Sequence, residues 1–195
     1  MTTIETLSAN VSKLAPRDQD FANSLIEQSK HRILSAKQLY WVDVLADRAA
    51  KPAPEAKQVG DMSGAIALFD KARQHLKYPA IVLSVADVGE VRINVAGDRA
   101  RFPGSLNVVR YADREWLGRV HQDGTFEPSR KHDASDELVA GLEAFSSDPA
   151  GVAAEHGKLT GRCCFCNTGL SDERSTDVGY GPVCAKHYGL PWGAK

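Results

Sequence analysis

The sequence predicts an α+β fold in three parts: an N-terminal helical hairpin, a small antiparallel meander sheet with flanking helices, and a compact C-terminal module. Three observations predict it. Apolar residues recur at helical spacing on both sides of Leu34-Ser35-Ala36-Lys37-Gln38. Between Ala80 and Phe126 the pattern changes to short β-branched or alternating runs separated by turn residues. All four cysteines then fall between Cys163 and Cys184. A period of 3.6 marks a helix with one apolar face, and a period of 2 marks a strand with one buried side.

Residues 1–16 are polar and weakly patterned, and read as a flexible lead-in ending at Pro16. Asp18 or Asp20 can cap a helix carrying Phe21, Leu25 and Ile26. Ser35 and Gln38 form a capping box for a second helix, with Leu39, Val42, Leu45 and Ala46 on one face. Residues 17–51 are therefore the helical hairpin. Pro52 and Pro54 stop that helix and stiffen the connection after it, so residues 52–60 read as a Pro-rich linker and the main domain boundary.

Residues 61–156 form the predicted sheet domain. Ile66, Phe69, Ala72 and Leu76 line one face of a helix from Ser63 that Pro79 ends. Ala80–Val85 is apolar throughout, as in a buried strand. Val91–Val95 alternates strictly. Two further strands are expected over 105–111 and 115–121, and the Asp123-Gly124 turn leads into a last short one. Asp136 to Phe145 is a helix, and Asp148-Pro149 opens one more turn or two. No flexible stretch separates this domain from residues 157–195, so the C-terminal module is expected to pack on the sheet.

That module carries the strongest signal in the chain. Cys163 and Cys166 are two residues apart, and so are Cys184 and His187. Zinc takes four nitrogen or sulfur donors at tetrahedral corners, commonly as two close pairs from two elements. Pro182 suits the first position of a short helix, which would put Cys184 and His187 on one face. A cysteine knuckle followed by a ligand-bearing helix is a treble-clef-like arrangement. The expected ligands are Cys163, Cys166, Cys184 and His187, holding one structural zinc ion. Four protein ligands leave no position for a catalytic water. Such a site contributes about 10–16 kcal/mol of apparent binding energy to folding. Cys164 is a spare thiol. Disulfides would also use four cysteines, but no secretory leader is visible, and a redox Cys-x-x-Cys would leave the second pair unexplained.

Composition narrows the partners. With 195 residues, 43% hydrophobic and 25% charged, the chain is ordinary globular protein. No apolar run is long enough to span a membrane. Reduced cysteines and the polar N-terminus lead us to expect a cytoplasmic protein. A formal net charge of -1 gives no bulk electrostatic case for nucleic acid.

The run Leu159-Thr160-Gly161-Arg162-Cys163-Cys164-Phe165-Cys166, then Leu170-Ser171-Asp172-Glu173-Arg174-Ser175 and Gly179-Tyr180-Gly181-Pro182-Val183-Cys184, resembles a zinc-binding domain of unknown function. That domain is widespread in bacteriophage and prophage proteins, often encoded beside replication and recombination functions. The family usually has Gly-Arg after the second cysteine, where this chain has Asn167-Thr168. Asn is the next most tolerant residue of positive φ after Gly, so the knuckle can survive the exchange. The hairpin segment, Phe21 to Ile26 with Leu34-Ser35-Ala36-Lys37-Gln38 and Trp41-Val42, is similar to a module recurring in such phage proteins. The resemblance implies a fold, a setting in a bacterial host cytoplasm and a DNA-related role, but no activity.

Enzyme signatures are weak. Gly179-Tyr180-Gly181 is too short for a phosphate loop, and His121 with Asp123, or His132 with Asp133, read as surface pairs. We expect a non-enzymatic protein. The sheet region interleaves arginines with aromatics, and Arg92, Arg110, Trp116, Arg119 and Phe126 are the candidate nucleic-acid-binding residues. Together they would make a stacking and phosphate-tracking platform for a single strand. Acidic residues are as frequent there as basic ones, eight of each over residues 87–133. The first expectation is a zinc-stabilised accessory protein that binds single-stranded DNA in replication, recombination or counter-defence. The alternative is an adaptor or inhibitor that binds a host or phage enzyme.

Overall fold

The computed structural model describes residues 3–51, 54–131 and 134–193. His132 and Asp133, and Pro52 and Ala53 of the expected linker, lie outside the described residues. The chain divides into two compact units, residues 1–53 and 54–195.

The N-terminal unit holds three helices: α1 (Thr3–Asn10), α2 (Pro16–His31) and α3 (Ala36–Ala50). The Ser35 and Gln38 capping box forms at the start of α3. Residues 3–13 are not a loose lead-in. They form α1 and a short 3-10 turn (Val11–Lys13), and Leu7 is 0% exposed. The lead-in is polar because only one face of α1 is buried; Leu7 and Leu14 join Leu25, Val42 and Leu45 in a separate small core.

The second unit is built on a six-stranded antiparallel sheet in the order β1-β6-β5-β4-β3-β2. The strands are β1 (Lys57–Gln58), β2 (Ala80–Val85), β3 (Gly89–Val95), β4 (Leu106–Arg110), β5 (Trp116–Val120) and β6 (Thr125–Pro128). Strands β2 to β6 form a meander. β1 comes from the expected linker and pairs with β6, which buries Val59 beside it. Helices α4 (Ser63–Arg73), α5 (Asp136–Ser147) and α6 (Pro149–Thr160) contribute to one core with the sheet residues Ile81, Leu83, Ile93 and Val108. Helix α6 runs for three turns, longer than expected from Asp148-Pro149. Asp148 caps it through Gly151, and Pro149 occupies its first turn.

Helices α7 (Glu173–Val178) and α8 (Pro182–Tyr188) complete the fold. The same core includes Cys164, Phe165, Tyr180 and Tyr188, so tail and sheet share one interior. The tail also covers an open sheet edge. The Val82 amide donates to the Cys164 carbonyl at 2.7 Å. The Tyr188 hydroxyl accepts from the Ala80 amide at 3.0 Å and donates to its carbonyl at 2.8 Å. Unpaired edge groups would otherwise template pairing with another chain. Among the described residues, no helix is long and apolar enough to cross a membrane.

Candidate functional site

The cysteine knuckle begins where Gly161 ends α6 in the left-handed conformation, φ 65°. The Cys163 amide donates to the Thr168 carbonyl and the Asn167 amide to the Cys163 carbonyl, both at 2.8 Å. This tight turn aims Cys163 and Cys166 the same way. Asn167 has φ 59°, the backbone state that favours Gly or Asn. Its side chain is used as well: Nδ2 donates to the Tyr111 hydroxyl at 2.6 Å, and Oδ1 accepts from Arg162 Nε at 3.1 Å. Cys184 enters from the first turn of α8, behind Pro182.

The sulfurs of Cys163, Cys166 and Cys184 lie within 4.8 Å of one another. Cys163 and Cys184 are buried and Cys166 is exposed. Three of the four expected ligands are thus together. His187 is not in the cluster; its ring stacks on His75, with centroids 5.0 Å apart and an interplanar angle of 20°. Cys164 is also outside, fully buried in the core.

The donor set fits a soft cation. The hydrogen bond from Cys184 lowers the Cys163 thiol to about 5. The same bond, with burial, raises Cys184. A second and third thiolate at this range need a positive ion between them, and thiolates suit zinc or a similar metal. Burial pushes the Cys164 thiol up, consistent with an inert core residue. The sulfurs border a pocket of about 350 Å³ that Thr168, Asp172 and Ser175 also line.

Residues 153–189 match a family of unknown function (DUF6011). The matched segment runs from within α6 through the knuckle to the end of α8, so it contains all three clustered sulfurs. No curated protein and no solved structure matches the chain.

A second group of polar side chains lies on the sheet. Strand register places Asn94, Asn107, Arg119 and Glu127 in one row across β3 to β6, and Arg92 beside Val109 in the next. These alternate with the core-facing Ile93, Val108, Val120 and Phe126. The Arg119 guanidinium carbon is 4.7 Å from the Phe102 ring centroid and 5.6 Å from that of Trp116. Trp116 is 38% exposed.

Arg110 is already engaged, at 3.0 Å from Asp113 and 2.7 Å from Glu115. Phe126 must be removed from the candidate platform. It is 0% exposed, on the core side of β6, where no base could stack on it. Phe102, from the β3–β4 connection, takes the aromatic position beside Arg119. No local pattern marks it, because its neighbour comes from another strand.

His121 contacts Glu127 at 3.3 Å and packs edge-on against Phe102, while Asp123 accepts from the Thr125 amide in the turn. The more notable histidine is one that no sequence pattern singles out. His156, on α6, is 2% exposed. Its Nδ1 lies 2.8 Å from the Ser84 hydroxyl, and its Nε2 lies 3.8 Å from Glu90, too far for a hydrogen bond. Burial lowers its pKa, against a smaller opposing effect of Glu90.

Proposed function

We propose that the protein is a zinc-stabilised, non-enzymatic accessory factor that binds single-stranded nucleic acid, DNA in particular, across the open face of its sheet. The supporting observation is Arg119 held between Phe102 and Trp116, in a row of polar side chains next to the row that holds Arg92. The half-exposed rings packed around this planar cation offer flat faces for bases; Arg119 itself is ion-paired to Glu127 at 3.8 Å, and the exposed Arg92 supplies the charge for the backbone. In this reading the thiolate cluster holds one zinc ion that fixes the tail, and the setting is the phage-type replication, recombination or counter-defence context that the sequence resemblance implies.

The test is fluorescence anisotropy with labelled single- and double-stranded oligonucleotides at low salt. Single strands should bind, affinity should fall with salt, and Trp116→Ala should weaken binding by about 1–3 kcal/mol. Absence of binding at micromolar protein would sink the reading.

A second reading has its own observation. In the N-terminal unit Phe21, Tyr40 and Trp41 form edge-to-face pairs at 5.9 and 5.7 Å, with Phe21 and Tyr40 42% and 62% exposed. Such an aromatic patch suits a protein partner. A pull-down comparing wild type with Phe21→Ser/Tyr40→Ser would identify it. Identical partners for both proteins would discard the adaptor role.

A further inference from the structure

Between the open face of the sheet and the cysteine knuckle lies a cleft of about 570 Å³. Its lining includes the apolar Val82, Val109 and Phe165. Among the described residues, three arginines line it, Arg92, Arg110 and Arg114, and no carboxylate does. Asp113 and Glu115, which flank Arg114 in sequence, are both engaged with Arg110. Among the described residues, Arg92 and Arg114 have no ion-pair partner, and both are exposed. Arg162, outside the lining, donates from Nε to the cleft-lining Asn167 at 3.1 Å. A chain of net charge -1 therefore concentrates uncompensated positive charge at one place.

The backbone points the same way. Arg114 has φ 60°, a left-handed state that is uncommon in residues other than glycine. Asp113 holds the turn by accepting from the Glu115 amide at 3.0 Å. Conformational strain of this kind persists where surrounding structure enforces it, and it concentrates at functional sites. On the opposite wall Asn167 is held by Tyr111 and Arg162, so the knuckle and the β4–β5 turn are linked by a direct hydrogen bond.

Arginine forks match phosphate oxygens in pairs, and the volume lies in the range that admits a small organic ligand. We propose that this cleft is a phosphate-binding site of nucleotide type, with Arg92 and Arg114 on the phosphate and the attached sugar or base against Val109 and Phe165. Strand binding across the sheet supplies one source of that phosphate, and a free nucleotide carries the same group. The site rests on the strand-binding reading only for the source.

The experiment uses the full chain with its metal. Wild type and Arg92→Gln/Arg114→Gln are compared in oligothymidylate anisotropy over a salt series, and in amide NMR titrations with dTMP and inorganic phosphate. Both side chains are exposed, and retained metal content and circular dichroism confirm that the variant is folded. The double variant should bind the strand at least about tenfold more weakly. Its log-log salt slope should be smaller by about one to two units. dTMP should shift the amides of Arg92, Tyr111, Arg114 and Asn167, and inorganic phosphate should shift them less. Equal strand affinity and slope in both proteins, with no dTMP shifts, would overturn the cleft and leave strand binding standing. Shifts with dTMP but no strand binding would keep the cleft, with a free nucleotide as its ligand, and discard the strand. Neither signal would overturn both.

Discussion

At position 126 an aromatic ring lies on the core face of its strand, and at position 116 another lies half exposed. Their neighbours in sequence mark both equally as platform residues. The difference has measurable consequences. Phe126→Ala should cost about 3–5 kcal/mol in urea unfolding, as for other buried aromatics. Trp116→Ala should cost far less stability and affect strand binding instead. The cysteines separate in the same way. Cys163→Ser and Cys184→Ser should each lower the bound metal well below one per chain in mass spectrometry or elemental analysis, whereas Cys164→Ser should keep it. Metal retained in full by Cys184→Ser would contradict the three-sulfur site.

His156 gives a pH prediction. Its folded pKa lies below the ordinary 6.5 because burial disfavours the cation. The unfolded chain therefore binds the proton first as pH falls. Its stability contribution is complete above about pH 6.5 and is lost as pH drops from there through the folded value. Unfolding free energy measured at about pH 7.5 and 5.5 should fall at the lower pH in wild type, and fall less in His156→Gln. An equal decrease in both would assign the effect to other groups.

Among the elements, α6 shows best where sequence patterning runs out. Asp148-Pro149 marks its start, because a cap and a proline in the first turn are local signals. Its length is not legible, since Gly151 and Gly157 interrupt the run and both ends of its apolar face are weak. Gly157 has a tertiary role: a Cβ there would overlap the Gly179 carbonyl, and one on Gly179 would overlap the Ala154 carbonyl. The helix and the turn before α8 meet backbone to backbone. Gly157→Ala should thus destabilise the fold by about 1–3 kcal/mol, despite the gain in helix propensity, as thermal unfolding would show. A stabilised variant would mean that the turn can move away freely. β1 is hidden from sequence patterning for a related reason. Two residues are too few for a period, and Lys57 and Gln58 become a strand only because β6 offers an edge. α1 is hidden because a single buried face on a short helix gives little apolar content, and Leu7 finds its partners on other helices.

For the whole molecule, the question is how far the influence of a metal bound at the three sulfurs would extend. Cys163 and Cys184 belong to the same core as Ile81, Phe69 and Leu142. The N-terminal unit has its own core. Calorimetry should resolve two transitions, and a strong chelator should lower the one belonging to residues 54–195 and leave the other in place. A shift in both transitions would show that the units are not independent.

Local patterning along the chain is enough for the α+β class, the order of the meander strands, the capping box of α3 and the positions of the clustered cysteines. Each of these rests on a short-range rule: periodicity, a cap, a turn pair or a fixed spacing. Tertiary packing settled which side of β6 Phe126 would occupy, that His187 would stack on His75 outside the sulfur cluster, and that Arg92 and Arg114 would face one cleft beside the knuckle. Those outcomes depend on partners dozens of residues away, and the spacing of residues along a chain carries no record of which distant group will fill the space beside them.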